Sequence, residues 1–142
     1  MSKKYDSGDS LHQKIIEGVD TLADNVASTL GPRGRNVIIH AKGKRPFITK
    51  DGVTVAKFIG FDDEFMNVGA QIVKQAAAKT SVDAGDGTTT STVLARAIFK
   101  SAMRHVSAGA SPIEIKRGMD KAVTVVVEAL KESSRPIRSE ED

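Results

Sequence analysis

Ala84-Gly-Asp-Gly-Thr-Thr-Thr90 places two glycines, one carboxylate and three hydroxyls within seven residues. Glycines let the backbone approach a ligand closely. A helix that starts just beyond them offers free N–H groups and the positive end of its dipole, both of which favour phosphate oxygens. Asp86 has no cationic partner close in sequence, and a hard carboxylate beside phosphates is what magnesium seeks. The same residue types also make a good helix cap, so the local reading leaves cap and phosphate site both open. Two further polar turns are weaker. Thr29-Leu-Gly-Pro-Arg-Gly34 is not a Walker loop, because its glycines are too close and no Gly-Lys-Ser/Thr follows. Lys50-Asp51-Gly52-Val53 reads as a tight turn with solvated charges. Spacing alone does not bring the three together.

The elements around these turns follow from periodicity. Leu11, Ile15, Val19, Leu22, Val26 and Leu30 fall at steps of three or four, one face of a helix of about five turns. Asp9 or Ser10 is placed to cap it, and Gly31-Pro32 to end it. Asn36–His40 and Phe47–Thr49 predict a hairpin over about 36–49. A short helix is expected over about Val53–Ile59 and a long one over about Asp62–Val82. Another follows from Thr88 to about Ser107, ended by Gly109. Ser111-Pro-Ile-Glu114 reads as a capping box with proline at the first helical position, opening a run to about Ser133. The fold class is therefore mainly α: a helical bundle with one small β-hairpin. Residues 1–135 form one segment, and 136–142 a tail.

Composition narrows the function classes. The chain has 142 residues, 39% hydrophobic, with five Phe, one Tyr and no Trp, so small aliphatic side chains must build the core. Without cysteine there is neither a disulfide nor a thiolate zinc site, which suits a reducing, cytoplasmic setting. Met1–Ser10 is polar and does not read as a signal peptide, and no apolar run approaches the roughly 20 residues needed to cross a bilayer. The net charge is +3, and the basic residues crowd Arg33, Arg35, Lys42, Lys44, Arg45 and Lys50 with no acid between Arg33 and Lys50. Such a stretch suits a solvated hairpin, a polyanionic small ligand or nucleic acid; a single-strand binder would add stacking aromatics, and only Phe47 lies there. His12, His40 and His105 lack the partner spacing of a metal site.

Taken in order, Thr29-Leu-Gly-Pro-Arg-Gly-Arg-Asn36, Ile48-Thr-Lys-Asp-Gly-Val-Thr-Val-Ala56, Gly69-Ala-Gln-Ile-Val-Lys74, Ala84-Gly-Asp-Gly-Thr-Thr-Thr90 and Ile115-Lys-Arg-Gly-Met-Asp-Lys-Ala122 resemble a group I chaperonin of the bacterial 60-kilodalton type. The resemblance runs from about Leu11 to about Glu132. It implies the first portion of an ATP-binding equatorial domain, in a family that folds proteins inside a ring at the expense of ATP.

Carried over, Thr29, Leu30, Gly31 and Pro32 line the nucleotide. Lys50 lies near the phosphates and a K+ site. Asp51 orients the attacking water or the γ-phosphate. Asp86 ligates Mg2+, and Gly87, Thr88, Thr89 and Thr90 hold the β- and γ-phosphates. The hairpin over 36–49 corresponds to the loop that pairs with a neighbouring subunit, which makes its basic side chains ring contacts and leaves no nucleic-acid or membrane partner.

Family chains are several times longer, and this one ends about where the hinge domain begins. The resemblance therefore implies that the hinge aspartate, the adenine-holding residues and the surfaces for unfolded protein and co-chaperonin lie elsewhere. Weak Mg-ATP binding is the most then expected of these residues alone, or a non-catalytic module that co-assembles with a full-length chaperonin. Arg33 stands where lysine is common, and Tyr5-Asp6 where phenylalanine-glycine is usual.

Overall fold

The computed structural model describes residues 4–40, 43 and 45–137, so Lys42, Lys44 and most of the 136–142 tail lie outside the described residues. Two compact units divide the chain, residues 1–100 and 101–142. The elements are α1 (Gly8–Ala27), β1 (Val37–Ile39), β2 (Phe47–Thr49), α2 (Gly52–Phe58), α3 (Glu64–Ala84), α4 (Thr88–Ser107) and α5 (Pro112–Ser133). The mainly helical fold with one antiparallel hairpin is as the sequence predicts. Among the described residues no helix is long and apolar enough to cross a membrane.

In the first unit α1 and α3 form the central pair. Val19, Leu22 and Val26 of α1 meet Ala70 and Val73 of α3, with Ile39, Val55 and Ala56 completing the core. Two glycines decide how close the pair comes. A Cβ added at Gly18 would lie 2.0 Å from the Met66 carbonyl oxygen, and one at Gly69 would lie 2.1 Å from that of Ile15. Each helix thus presses its glycine against the other's backbone. Asp24 pairs with Arg96, and Asp20 with Lys100 at 2.7 Å, so the part of α4 within this unit runs antiparallel to α1. Val37, Ile38 and Ile39 face Thr49, Ile48 and Phe47 in register, and the opposed Ile38 and Ile48 are both exposed. Phe47 stacks edge-on to Phe58, with ring centroids 5.2 Å apart.

Three helix ends differ from expectation. α1 stops at Ala27, so Leu30 lies beyond it and is exposed. Its start is at Gly8; the preceding Asp6 accepts from the Ser7 N–H and from Lys14, which also reaches Asp63. Ser111 makes no side-chain cap to α5, and the Glu114 carboxylate pairs with Arg117 at 2.7 Å, so neither half of a capping box forms. Pro112 does occupy the first turn.

In the second unit no residue of α5 is buried; Val123, Val126, Val127 and Leu130 are all exposed.

Candidate functional site

The site begins where α1 ends. Thr29 and Leu30 donate their N–H groups back to Val26 and Ala27, and the Thr29 hydroxyl donates to the Val26 carbonyl at 2.7 Å. The loop then folds on itself: Arg35 N–H reaches the Ser28 carbonyl at 2.7 Å, and a Cβ at Gly34 would lie 2.2 Å from the Thr29 carbonyl oxygen. Thr29 is half-buried, whereas Leu30, Gly31 and Pro32 are exposed along the turn.

Asp51 is the cap of α2, which replaces the simple Asp-Gly turn read from the sequence. Its carboxylate accepts from Val53 N–H at 3.2 Å, Thr54 N–H at 3.0 Å and the Thr54 hydroxyl at 2.5 Å. The Thr54 hydroxyl, then the Thr54 and Val53 amides, hold its pKa below the ordinary carboxylate range against an opposing desolvation. Asp51 N–H in turn donates to the Thr49 hydroxyl at 3.0 Å, tying the cap to β2. Lys50, immediately before it, is exposed.

A carboxylate with a lowered folded pKa stabilises the protein above its unfolded pKa, and that contribution disappears as pH falls through the folded value. Thermal melts between pH 6 and 3 should therefore show Asp51→Asn losing part of the wild-type acid sensitivity; an identical pH profile would contradict the cap's role.

α3 closes at Ala84, and Gly85 turns the chain with a left-handed φ of 74°. Gly87 repeats that conformation at 79°, which ordinary residues rarely adopt, so the chain re-enters a helix within three residues. Asp86 between them is exposed and accepts the neighbouring Gly87 N–H at 2.6 Å. No side-chain acceptor is recorded for the first-turn amides of α4 among the described residues, in contrast to those of α2 and α3, which Asp51 and Asp63 cap. Beneath the turn Thr92 is fully buried, and both it and Ser91 donate their hydroxyls to the Thr88 carbonyl. Thr88 and Thr89 are half-buried and Thr90 is exposed.

The convergence that spacing could not establish occurs at Gly52. A Cβ there would lie 2.3 Å from the Thr89 Oγ1, 3.2 Å from Val26 Cγ1 and 3.5 Å from the Thr29 Oγ1. The end of α1, the start of α2 and the start of α4 thus meet around a position that tolerates no side chain. Gly52, Thr54 and Thr92 were not singled out from the sequence. For Thr54 a signal existed, since Asp-x-x-Thr is the spacing at which a cap and a third-position hydroxyl meet. For Gly52 and Thr92 the reason is tertiary.

Among the described residues no three His, Cys, Asp or Glu side chains group into a metal centre. A lone carboxylate such as Asp86 matches a cation that takes its remaining ligands from phosphate and water, as magnesium does. The uncapped amides of α4 and the hydroxyls of Thr29 and Thr89, which the missing side chain of Gly52 lets come together, are the kinds of donor a phosphate group takes. A groove along α1, past Lys14, Glu17, Asp20 and Asp24, shares no residue with this cluster.

A solved structure shares this fold. The fold is similar to that of the chaperonin gp146 from the bacteriophage EL 2 (Pseudomonas aeruginosa), solved in presence of ATP-BeFx, with 30% sequence identity and a TM-score of 0.73. That similarity covers 92% of this chain and 23% of the phage protein, so the chain spans about a quarter of its relative's length. The sequence model of the TCP-1/cpn60 chaperonin family matches residues 22–142, which include the end of α1, the Asp51 cap and the Asp86 turn. By that match the chain belongs to the TCP-1/cpn60 chaperonin family.

Proposed function

We propose that this chain is the first, equatorial portion of a group I chaperonin and that the turns around Gly52 hold the phosphates and magnesium of ATP. The observation that carries the reading is the meeting of the Thr29 hydroxyl, Gly52 and the Thr89 hydroxyl at the N-termini of α2 and α4. Thr88, Thr89 and Thr90 bind phosphate oxygens through first-turn amides and hydroxyls, while Leu30, Gly31 and Pro32 form the opposite lip. Lys50 offsets phosphate charge beside a K+ site. Asp86 would hold magnesium, which when bound would offset charge on the phosphates. Asp51, ionised and fixed by Thr54, holds the attacking water or the γ-phosphate in one orientation. In phosphoryl transfer positioning and electrostatics do most of the work, which is the work this arrangement suits.

These residues address phosphate and metal rather than base or ribose, so Mg-ATP binding by the 142-residue chain is weak. As part of a larger, cytoplasmic chaperonin they serve ATP-driven folding of unfolded proteins within a ring, with a co-chaperonin and clients engaged through other domains. The exposed hairpin with its opposed Ile38 and Ile48 favours a second role, pairing with neighbouring subunits. On that alternative the chain is a non-catalytic module that co-assembles with an intact chaperonin.

Calorimetric titration with ATP, with and without magnesium, tests the main reading through Gly52→Ala. The added methyl forces the Thr89 hydroxyl to rotate out of the cluster and crowds Val26, so some stability is lost, and in protein still folded at the titration temperature Mg-ATP affinity falls about tenfold. Equal affinities would remove the cluster from the site.

A further inference from the structure

The connection between α2 and α3 is gripped twice from α3. The Lys74 ammonium donates to the carbonyl of Ile59, the residue that closes α2. Asn67 accepts the Phe61 N–H at 2.9 Å and donates its own amide back to the Phe61 carbonyl. Lys74 is half-buried and pairs with no carboxylate among the described residues. Desolvation pushes its pKa down from the ordinary lysine value.

A partly desolvated ammonium with a single carbonyl partner is a poor source of stability, since an apolar chain of similar length could fill the same path. What it supplies is direction. A cation at the carbonyl end of a helix sits where the dipole favours it, and the hydrogen bond fixes that end to α3.

α2 is seven residues long, roughly 10 Å, and buries Gly52, Val55 and Ala56. A helix that short moves as a rigid lever. Its other end carries the Asp51 cap and Gly52, whose clearance from Thr89 admits no extra atom.

We propose that Lys74 is a positioning residue for the phosphate-facing turn: by anchoring the C-terminal end of α2 it sets where Asp51 and Gly52 stand against Thr29 and Thr89. This rests on the phosphate-site reading above.

The test uses the full 142-residue chain as wild type, Lys74→Met and Lys74→Arg, with amide exchange, thermal melts and calorimetric titration of Mg-ATP. Lys74→Met is expected to speed exchange at Val53 and Thr54, the amides that Asp51 caps, about tenfold. It should weaken Mg-ATP binding about tenfold while the melting temperature moves by no more than about 3 °C. Lys74→Arg should restore both. Unchanged exchange and affinity in Lys74→Met would overturn the proposal. So would a large fall in melting temperature with exchange rising equally at Leu22 and Val73, because Lys74 would then be a general strut. A wild type that binds no Mg-ATP defeats the phosphate-site reading and the proposal with it; a wild type that binds, matched by Lys74→Met, defeats the proposal alone.

Discussion

Replacing Gly69 with alanine is expected to destabilise the chain by about 3 kcal/mol, a fall of roughly 10 °C in melting temperature. In an exposed helix the same change would be favourable by about 1 kcal/mol, because alanine is the better helix former. Here the sign reverses for a steric reason. The new methyl would stand 2.1 Å from the Ile15 carbonyl oxygen and 2.9 Å from its carbon, and both belong to backbone that cannot rotate aside. α1 and α3 must therefore separate by more than an ångström. That movement opens the contacts of Val19, Leu22 and Val26 with Ala70 and Val73, and dispersion falls off steeply over such a gap.

Gly18→Ala meets the Met66 carbonyl in the same way, so the double variant should lose less than the sum of the two, since one separation relieves both clashes. Gly118 on α5 supplies the control, because nothing lies within 4 Å of a Cβ there. Gly118→Ala should leave the transition in place or raise it. Thermal melts by circular dichroism decide the matter; a Gly69→Ala protein as stable as wild type would show that the helices are not in backbone contact.

Those glycines mark what periodicity cannot supply. The spacing of Val19, Leu22 and Val26 was enough to identify the buried face of α1, and those residues are the core. It also assigned Leu30 to that face, and failed there because the helix stops three residues earlier. A hydrophobic pattern reports which side chains want burial; it is silent on a glycine whose value is the absence of a side chain. Gly18 and Gly69 thus pass unnoticed although they set the distance between the two central helices. Gly52 is the same case at the site.

Caps were only partly legible. The helix expected from about Asp62 starts at Glu64, and Asp63 just before it accepts from Phe65 and Met66 N–H as its cap. Ser111 has the ideal sequence for a capping box, yet Glu114 finds Arg117 one turn on, a competition among side chains that a motif does not rank. Of the three polar turns, each was too weak alone to indicate a site. The order of five segments along the chain carried the family, and the meeting of α1, α2 and α4 at Gly52 brought Thr29, Gly52 and Thr89 to one place.

Asp86→Ala is expected to abolish the magnesium dependence of ATP binding and to lower affinity in magnesium about 100-fold, roughly 2.7 kcal/mol. The alternative role for Asp86 is a helix cap, and the two roles predict opposite patterns. A cap would accept the second- or third-position amides of α4, as Asp51 and Asp63 do for their helices. Among the described residues Asp86 instead accepts only the adjacent Gly87 N–H, and it is exposed. Loss of a working cap costs about 1 kcal/mol, a fall of several degrees in the ligand-free melt. For Asp86→Ala the ligand-free melt should move much less than that, and the effect should appear in the titration. Asp86→Asn separates the charge from the hydrogen bond: its carbonyl oxygen can still accept the Gly87 N–H, but a neutral amide is a far poorer magnesium ligand. It should therefore bind ATP as poorly as the alanine variant in magnesium, and all three proteins should bind equally in EDTA. A wild-type affinity retained by Asp86→Ala in magnesium, together with a lowered ligand-free melting temperature, would assign Asp86 to the helix and remove it from the metal site.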